Sequence, residues 1–410
     1  MTKQLLIIGF VWPEPDSSAA GSRMLQIIEQ FQSQAYDIVF ACAAKISDKT
    51  YNLNAINVET TEIQLNDSTF DAFVAELNPD IVVFDRFMIE EQYGWRIAEQ
   101  CPKAVRILDT EDFHGLRKAR EQALKANTEL SVELLQNDTT KREIASIYRS
   151  DLSIMISEAE IDILRNQFRI DDSLLHYLPF LLDKITEENT NHLPAFEERQ
   201  HFMTIGNFLH PPNYDNVLYL KQTIWPLIKA KLPKAELHIY GAYEPQKVTQ
   251  LRNDKDGFLI KGFVENVNEV MQHYRVCLAP LRFGAGLKGK LFDAMKNGTP
   301  CMMSTIASEG MFGELEPNGF VIDDVRAFAT KAVSLYTDAS VWNTKQAKGF
   351  KVINDRFNTS QFSEGFAAKV SNLRGTLKTH RENNFIGNIL QHQTLQSTKY
   401  LSKWIEEKNK

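Results

Sequence analysis

Short apolar runs followed by amphipathic stretches recur through most of this 410-residue chain. That alternation predicts parallel α/β sheets. In the first half, strands are expected at Gln4–Phe10, Asp37–Ala43, Asp80–Asp85, Ala104–Asp109 and Leu152–Ser157. A second series is expected at His201–Gly206, Glu236–Gly241, Phe258–Lys261, Val276–Leu281, Cys301–Ser304 and Gly319–Ile322. Between the two series, Leu182 to Gln200 is polar, charged and interrupted by Pro194, which marks a linker. Two sheets of the same style joined in this way would face each other across a cleft.

The length supports this division, because a chain of this size exceeds a comfortable single core. The expected domains are residues 1–183, a linker at 184–200, a second domain at 201–372 and a C-terminal helical segment at 373–410. That last segment is polar with scattered Phe385, Ile386, Ile389, Leu390, Leu395, Leu401, Trp404 and Ile405, a pattern able to pack onto the body or onto a protein partner. A formal charge of −7 gives no support for a nucleic-acid binder. Cys42, Cys101, Cys277 and Cys301 fall in or beside apolar runs with no metal-ligand spacing. They read as reduced core residues of a cytoplasmic protein. The apolar start, Leu5 to Trp12, is too short for a signal peptide, and no other run approaches a membrane span.

One segment carries more chemistry than the rest. From Cys277 the chain reads as a buried strand, a glycine-rich turn, a helix beginning near Lys288, then Gly298, Pro300 and another strand. Lys288 and Lys290 lie in the first turn of that helix, where free N–H groups already carry partial positive charge. Cations are unfavourable there unless an anion sits among them. Arg282 lies just upstream, and Gly284, Gly286 and Gly289 allow close backbone approach. A phosphate or diphosphate is the missing anion. The competing account, lysines snorkelling to solvent beside a tight turn, fits three cations and three glycines less well. Gly284-Ala-Gly286-Leu-Lys-Gly289 also matches the dinucleotide pattern GxGxxG, but Glu309 comes too late to serve as its ribose acid.

Ligands in open α/β sheets bind beyond the carboxyl ends of strands, which selects further loops. Trp12 to Arg23 follows the first strand, and its small residues suit either a ligand cradle or a surface loop. Asp109 to Arg117 holds two or three acids and His114; it can orient sugar hydroxyls or simply cap a helix. Ser157-Glu-Ala-Glu160 has the spacing of a capping box. Gly206, Asn207 and His210 precede an expected cap at Asn213, and Gly206 would let backbone approach a ligand. Phe263 and Val264 can flank a nucleotide base, although a phenylalanine such as Phe263 is more often core than stacking platform. Asp254-Lys-Asp256 has the DxD form of some metal sites but sits in a charged run and reads as an exposed turn. The basic stretch Gly115 to Lys125 can touch anionic lipid or form a solvated helix face, and the acids close behind favour the second.

The stretch from Ala279 to Pro300, with Ser304 to Gly310 after it, resembles the donor-site signature of bacterial group-1 glycosyltransferases. Gly206 to Asp215 and Asp109 to Arg117 resemble further blocks of the same family. The resemblance implies the GT-B fold, two Rossmann-like domains facing across a cleft, with the acceptor on the first and a nucleotide sugar on the second. It implies hexosyl transfer from a nucleoside-diphosphate sugar (UDP or GDP) to a hydroxyl of a glycan or lipid-linked acceptor, usually with retention, with no resident cofactor and no essential metal. Surface polysaccharide or glycoconjugate assembly at the inner face of a membrane is the usual setting. By motif, Arg282, Lys288 and Lys290 would neutralise the diphosphate, Asp293 would bond the ribose, and His114 would stand near the transferred sugar. Many relatives carry two glutamates where this chain has Ala285 and Asp293, so Glu309 or the amides of Gly284–Gly286 would serve the sugar instead. Other readings are a non-catalytic nucleotide-sugar-binding subunit, a nicotinamide-dependent dehydrogenase and a nucleotide-sugar epimerase.

Overall fold

The computed structural model describes residues 3–392, together with 402, 404, 405 and 408. Seven strands form the first sheet: β1 Lys3–Gly9, β2 Tyr36–Cys42, β3 Val58–Glu62, β4 Ile81–Asp85, β5 Val105–Asp109, β6 Leu152–Met155 and β7 Leu175–Tyr177. Their order is β3-β2-β1-β4-β5-β6-β7, and every pairing is parallel. The second sheet has six: β8 Gln200–Ile205, β9 Leu237–Tyr240, β10 Phe258–Gly262, β11 Tyr274–Ala279, β12 Cys301–Met303 and β13 Gly319–Val321. Its order is β10-β9-β8-β11-β12-β13, again parallel throughout. Both sheets reverse their strand order once, between β1 and β4 and between β8 and β11. Crevices open at such switch points.

Parallel strands are covered by helices on both faces, so their apolar runs are continuous. Leu5 to Ile8 and Val276 to Ala279 are fully buried, with Leu6 and Ile8 in one core layer and Leu5 and Ile7 in the opposite one. All eleven strands expected from the sequence are present, with ends moved by one or two residues. The pattern missed β3 and β7. Both are edge strands, and only Val58 of the first and Leu175 of the second are buried, so neither needs an apolar run. The four cysteines are buried and unpaired.

The linker is ordered by local bonds. Thr186 caps a short helix, Glu187–Thr190, and Arg199 is buried with its guanidinium bonded to Pro194 O and Thr299 Oγ1. The chain then returns to the first domain: Leu182 exchanges backbone bonds with Phe357 and Thr359. A helix, Ser363–Asn383, runs straight through the boundary expected at residue 372. Its Phe366, Val370 and Leu373 pack among Leu5 and Ile7 of the first sheet and Phe31 of the helix that follows β1, and Arg374 and Arg381 pair with Asp80 and Asp151. The apolar period of that helix is completed by the first sheet, not by its own domain. The next helix, Phe385–His392, leaves Phe385, Ile386 and Ile389 exposed; Leu395 and Leu401 lie outside the described residues. Among the described residues no helix is long and apolar enough to cross a membrane.

Phe366 is the keystone of that return. Replacing it with alanine should cost about 3–5 kcal/mol, the range for deleting a buried phenyl ring. Urea melting should show the loss in the transition of the first domain; an unchanged midpoint would refute the packing role.

Candidate active site

A cavity of about 950 Å³ lies between the two sheets. Its walls are the loops that leave β1, β4, β5, β8, β9, β10 and β11, all at carboxyl ends of strands. Two helices point their N-termini into it. One starts at Ala19 after β1, and the other is Gly289–Lys296 after β11. They meet closely: a Cβ on Gly289 would stand 2.7 Å from the Cβ of Ala19. Glycine is required there by the approach itself.

The lysines of the glycine-rich turn do not reach solvent. Lys288 is the N-cap of the second helix, one residue before its first turn, and only 8% exposed; Lys290 is 9% exposed. Lys288 Nζ donates to the carbonyls of Ala285 and Gly286, and Lys290 Nζ donates to Asn213 Oδ1 at 3.0 Å. Burial lowers each lysine to about 8; Glu309 and Glu160 oppose that shift at Lys288. Asp293 faces the same space, and burial raises its carboxyl to about 6. It makes no side-chain hydrogen bond to a described residue. Two cations without a carboxylate contact and one acid without a partner leave the cleft electrically unfinished.

The first domain supplies the other wall. His114 Nδ1 lies 3.1 Å from Asp112 Oδ1 and 3.2 Å from Glu143 Oε1. Burial works against the charged ring, but Asp112 and Glu143 outweigh it and raise its pKa. Glu143 also receives the amides of His114 and Gly115, at 3.0 and 2.6 Å, so it occupies the N-terminus of helix His114–Ala126. Asp112 is buried against Arg117, which with His114 holds its carboxyl well below the usual range despite burial. Glu111 and Arg86 line the cleft with left-handed backbones, φ 61° and 72°. Such conformations cost a non-glycine residue about 1–3 kcal/mol and concentrate at functional sites.

Of the residues selected from sequence, His114, Gly206, Asn207, Phe263, Val264, Gly284, Lys288, Lys290 and Asp293 line the cavity. Phe263 is 37% exposed there with Lys49 Nζ over its ring, so it is no core residue. Three residues stand elsewhere. Arg282 points away from the cavity, paired with Asp215 and stacked near Tyr219. Glu309 is bound at both oxygens by Arg120, 2.6 and 2.8 Å away, and burial is overcome so that its carboxyl stays ionised more readily than usual. Gly286 is behind the lining, its amide donating to Glu160 at 2.7 Å. Gly206 makes room for Asn213, since a Cβ would meet that side chain at 2.5 Å, and the helix after it starts at Pro211, not at an Asn213 cap. Glu160 forms no capping box; Ser157 is the N-cap without a side-chain bond. Arg120, expected on a solvated helix face, is an interdomain ligand of Gly284 O and Glu309. Asp254 pairs with Arg252 and Asp256 with Asn253 in an exposed turn.

Comparison with known proteins bears on this arrangement. Residues 199–338 match the family model described as Glycosyl transferases group 1. No curated protein matches the chain. Among solved structures, a variant of TarM from S. aureus, in complex with fondaparinux, alpha-GlcNAc-glycerol and UDP, has a TM-score of 0.68 at 11% identity, covering 91% of this chain and 99% of that one. HepE of Anabaena with UDP and glucose gives 0.66 at 12%, covering 90% and 100%. The pneumococcal O-GlcNAc transferase GtfA, with UDP and GlcNAc, gives 0.65 at 12%, covering 91% and 99%. The chain has the GT-B fold, and residues 199–338 of its second half are similar to the group 1 glycosyltransferases.

The lowered lysines make a prediction of definite sign. Between about 8 and the ordinary lysine range the unfolded chain keeps protons that the folded one has released, so stability rises with pH across that window. A bound diphosphate reverses the shift by restoring the ammonium charge. Binding of sulfate, an anion with no titrating proton in this range, should therefore take up protons at about pH 8.5, and affinity should fall as pH rises further. Titration calorimetry in buffers of different ionisation enthalpy measures the uptake; proton release, or none, would refute the anion site.

Proposed function

We propose that this protein is a glycosyltransferase that moves a hexosyl group from a nucleoside-diphosphate sugar to an acceptor hydroxyl, with retention and without an essential metal. The observation that carries this reading is the pair of buried lysines facing an unpartnered Asp293 in a cleft between two Rossmann-like sheets. When the bond between sugar C1 and the diphosphate breaks, negative charge grows on the leaving phosphate. Lys288, Lys290 and the free N–H groups at the start of helix Gly289–Lys296 oppose that charge without reorganising. Asp293 accepts hydroxyls of the ribose, and the loop holding Phe263 and Val264 takes the base. The acceptor oxygen approaches from the loops after β1, β4 and β5, and its proton leaves on the released diphosphate. His114, whose pKa Asp112 and Glu143 raise, steadies the transferred sugar at the junction of the two halves.

A UDP donor is supported by the UDP named in the TarM, HepE and GtfA complexes, and a glycan acceptor by the sugars named with them. We infer a cytoplasmic role in assembling surface polysaccharide or glycoconjugate, at the inner face of the membrane. A second reading is favoured by one observation: the donor loop has Ala285 and the next acid, Glu309, is consumed by Arg120. A nucleotide-sugar-binding subunit without turnover would tolerate both.

Calorimetry with UDP, GDP and their sugars, followed by an assay of donor consumption, separates these readings. Lys288→Ala should weaken nucleotide binding roughly 10- to 100-fold, the worth of one charge-assisted hydrogen bond. Arg282→Ala should change it less than about threefold, because an exposed pair away from the ligand contributes little. His114→Ala should lower turnover about a hundredfold with a much smaller effect on nucleotide affinity. Equal effects of the lysine and arginine variants would overturn the diphosphate assignment, and nucleotide binding with no turnover would favour the subunit.

A further inference from the structure

Glu160 belongs to the first domain, on helix Glu158–Phe168, and is fully buried. Its Oε1 accepts two backbone amides, Phe113 at 2.9 Å and Gly286 at 2.7 Å. Phe113 precedes His114, and Gly286 lies two residues before Lys288. One oxygen thus joins the loop that carries the histidine to the loop that carries the lysine. Its other oxygen is buried with no hydrogen-bond partner among the described residues.

The two loops are fitted to each other around this contact. Ala285 packs within the apolar core of the first domain, although it belongs to the second. Gly286 has φ 65°, and a Cβ there would lie 2.8 Å from the Cβ of Asp112. Arg120 holds Gly284 O at 2.8 Å from the far side. A shift of the donor loop must therefore displace Asp112 and Phe113, and the reverse is equally true. Serine or threonine at 160 would be too short to reach both amides, and an apolar residue would leave two buried N–H groups unpaired. Each such orphan costs about 1–3 kcal/mol.

We propose that Glu160 is a positioning residue for the transfer reaction, setting the donor loop at 284–288 and the acceptor-side loop at 111–114 by a single carboxylate oxygen. Lys288 and His114 then reach their working places together. The inference rests on the transferase reading above, but its primary readout does not.

Amide hydrogen exchange on the ligand-free full chain tests it. In Glu160→Ala, peptides covering 111–116 and 284–290 should exchange about tenfold faster or more, both together, while peptides of the sheets keep their protection. UDP affinity should fall about tenfold, the equivalent of one lost hydrogen bond to a charged group, and turnover should fall further than affinity. Glu160→Gln keeps one acceptor oxygen and replaces the oxygen that has no partner, so it should stay within about threefold of the wild type in all three readouts. Unchanged exchange in both loops, loosening of one loop alone, or a lowered melting temperature with normal exchange would overturn the proposal. So would Glu160→Gln behaving like Glu160→Ala. If Glu160→Ala does not fold, Glu160→Asp, one methylene too short to reach both amides, decides the question by the same exchange measurement. A wild type that binds no nucleotide would sink the transferase reading while the exchange result still decides whether Glu160 couples the loops.

Discussion

Two ammonium groups buried at the end of one strand are the constraint around which the cleft is built. An isolated buried charge costs several kcal/mol even after relaxation. Lys290 is met by a neutral amide oxygen and Lys288 by two carbonyls, so among the described residues neither is in direct contact with a carboxylate, and Glu309 and Glu160 offset the burial of Lys288 only in part. The helix that follows adds partial charge of the same sign. The rest of the loop must therefore be fixed by packing. Gly289 touches Ala19, Gly206 yields its space to Asn213 so that Asn213 can hold Lys290, and Lys288 folds back on its own turn. The strain is held in a place shaped for an anion to relieve it.

The two domains meet differently at the floor and at the mouth of the cleft. At the floor they share apolar cores: Ala285 enters the first, and Ile156 and Phe180 enter the second. At the mouth they touch through polar contacts, Tyr243 with Glu14 at 2.7 Å and Asn207 with Ser17 at 3.3 Å. Apolar burial is cumulative, whereas exposed hydrogen bonds exchange with water at small net cost. The mouth can therefore open while the floor holds, which admits a ligand without losing the alignment of the loops beneath it. The return of helix Ser363–Asn383 to the first sheet ties the same floor from behind.

Apolar runs made the sheets legible because central parallel strands are buried on both faces and have no polar side to confuse the pattern. Edge strands such as Val58–Glu62 lack that requirement and left no signal. The glycine-rich turn was legible for a related reason: lysines at a helix start contradict the local electrostatics, so a contradiction marked the site. Residues acting across the domain interface were not legible. Glu160 has the spacing of a capping box and Arg120 sits in a basic stretch, and each local pattern has an ordinary local meaning. The approach of the second domain gives Glu160 its second amide, from Gly286, and gives Arg120 both of its partners. Arg282 failed in the opposite sense. Proximity in sequence suggested the diphosphate, but the end of β11 turns its side chain outward to Asp215.

The distribution of acids follows from the same interface. Ala285 lines the cleft while packing on the apolar core of the first domain, so this position supplies no carboxylate to the site. Glu309 is spent on Arg120, and that pair also fixes the carbonyl of Gly284. Asp112 is held by Arg117 and His114, and Glu143 by two amides. Each of these carboxylates is occupied in shaping a loop. Glu111 differs: it lines the cleft from the first domain in a left-handed conformation, with no hydrogen bond from its side chain to a described residue. Burial and the neighbouring Asp109 raise its carboxyl well above the usual range, against the pull of Arg86. Asp293 and Glu111 thus line the cleft from opposite domains, each without a side-chain hydrogen bond to a described residue.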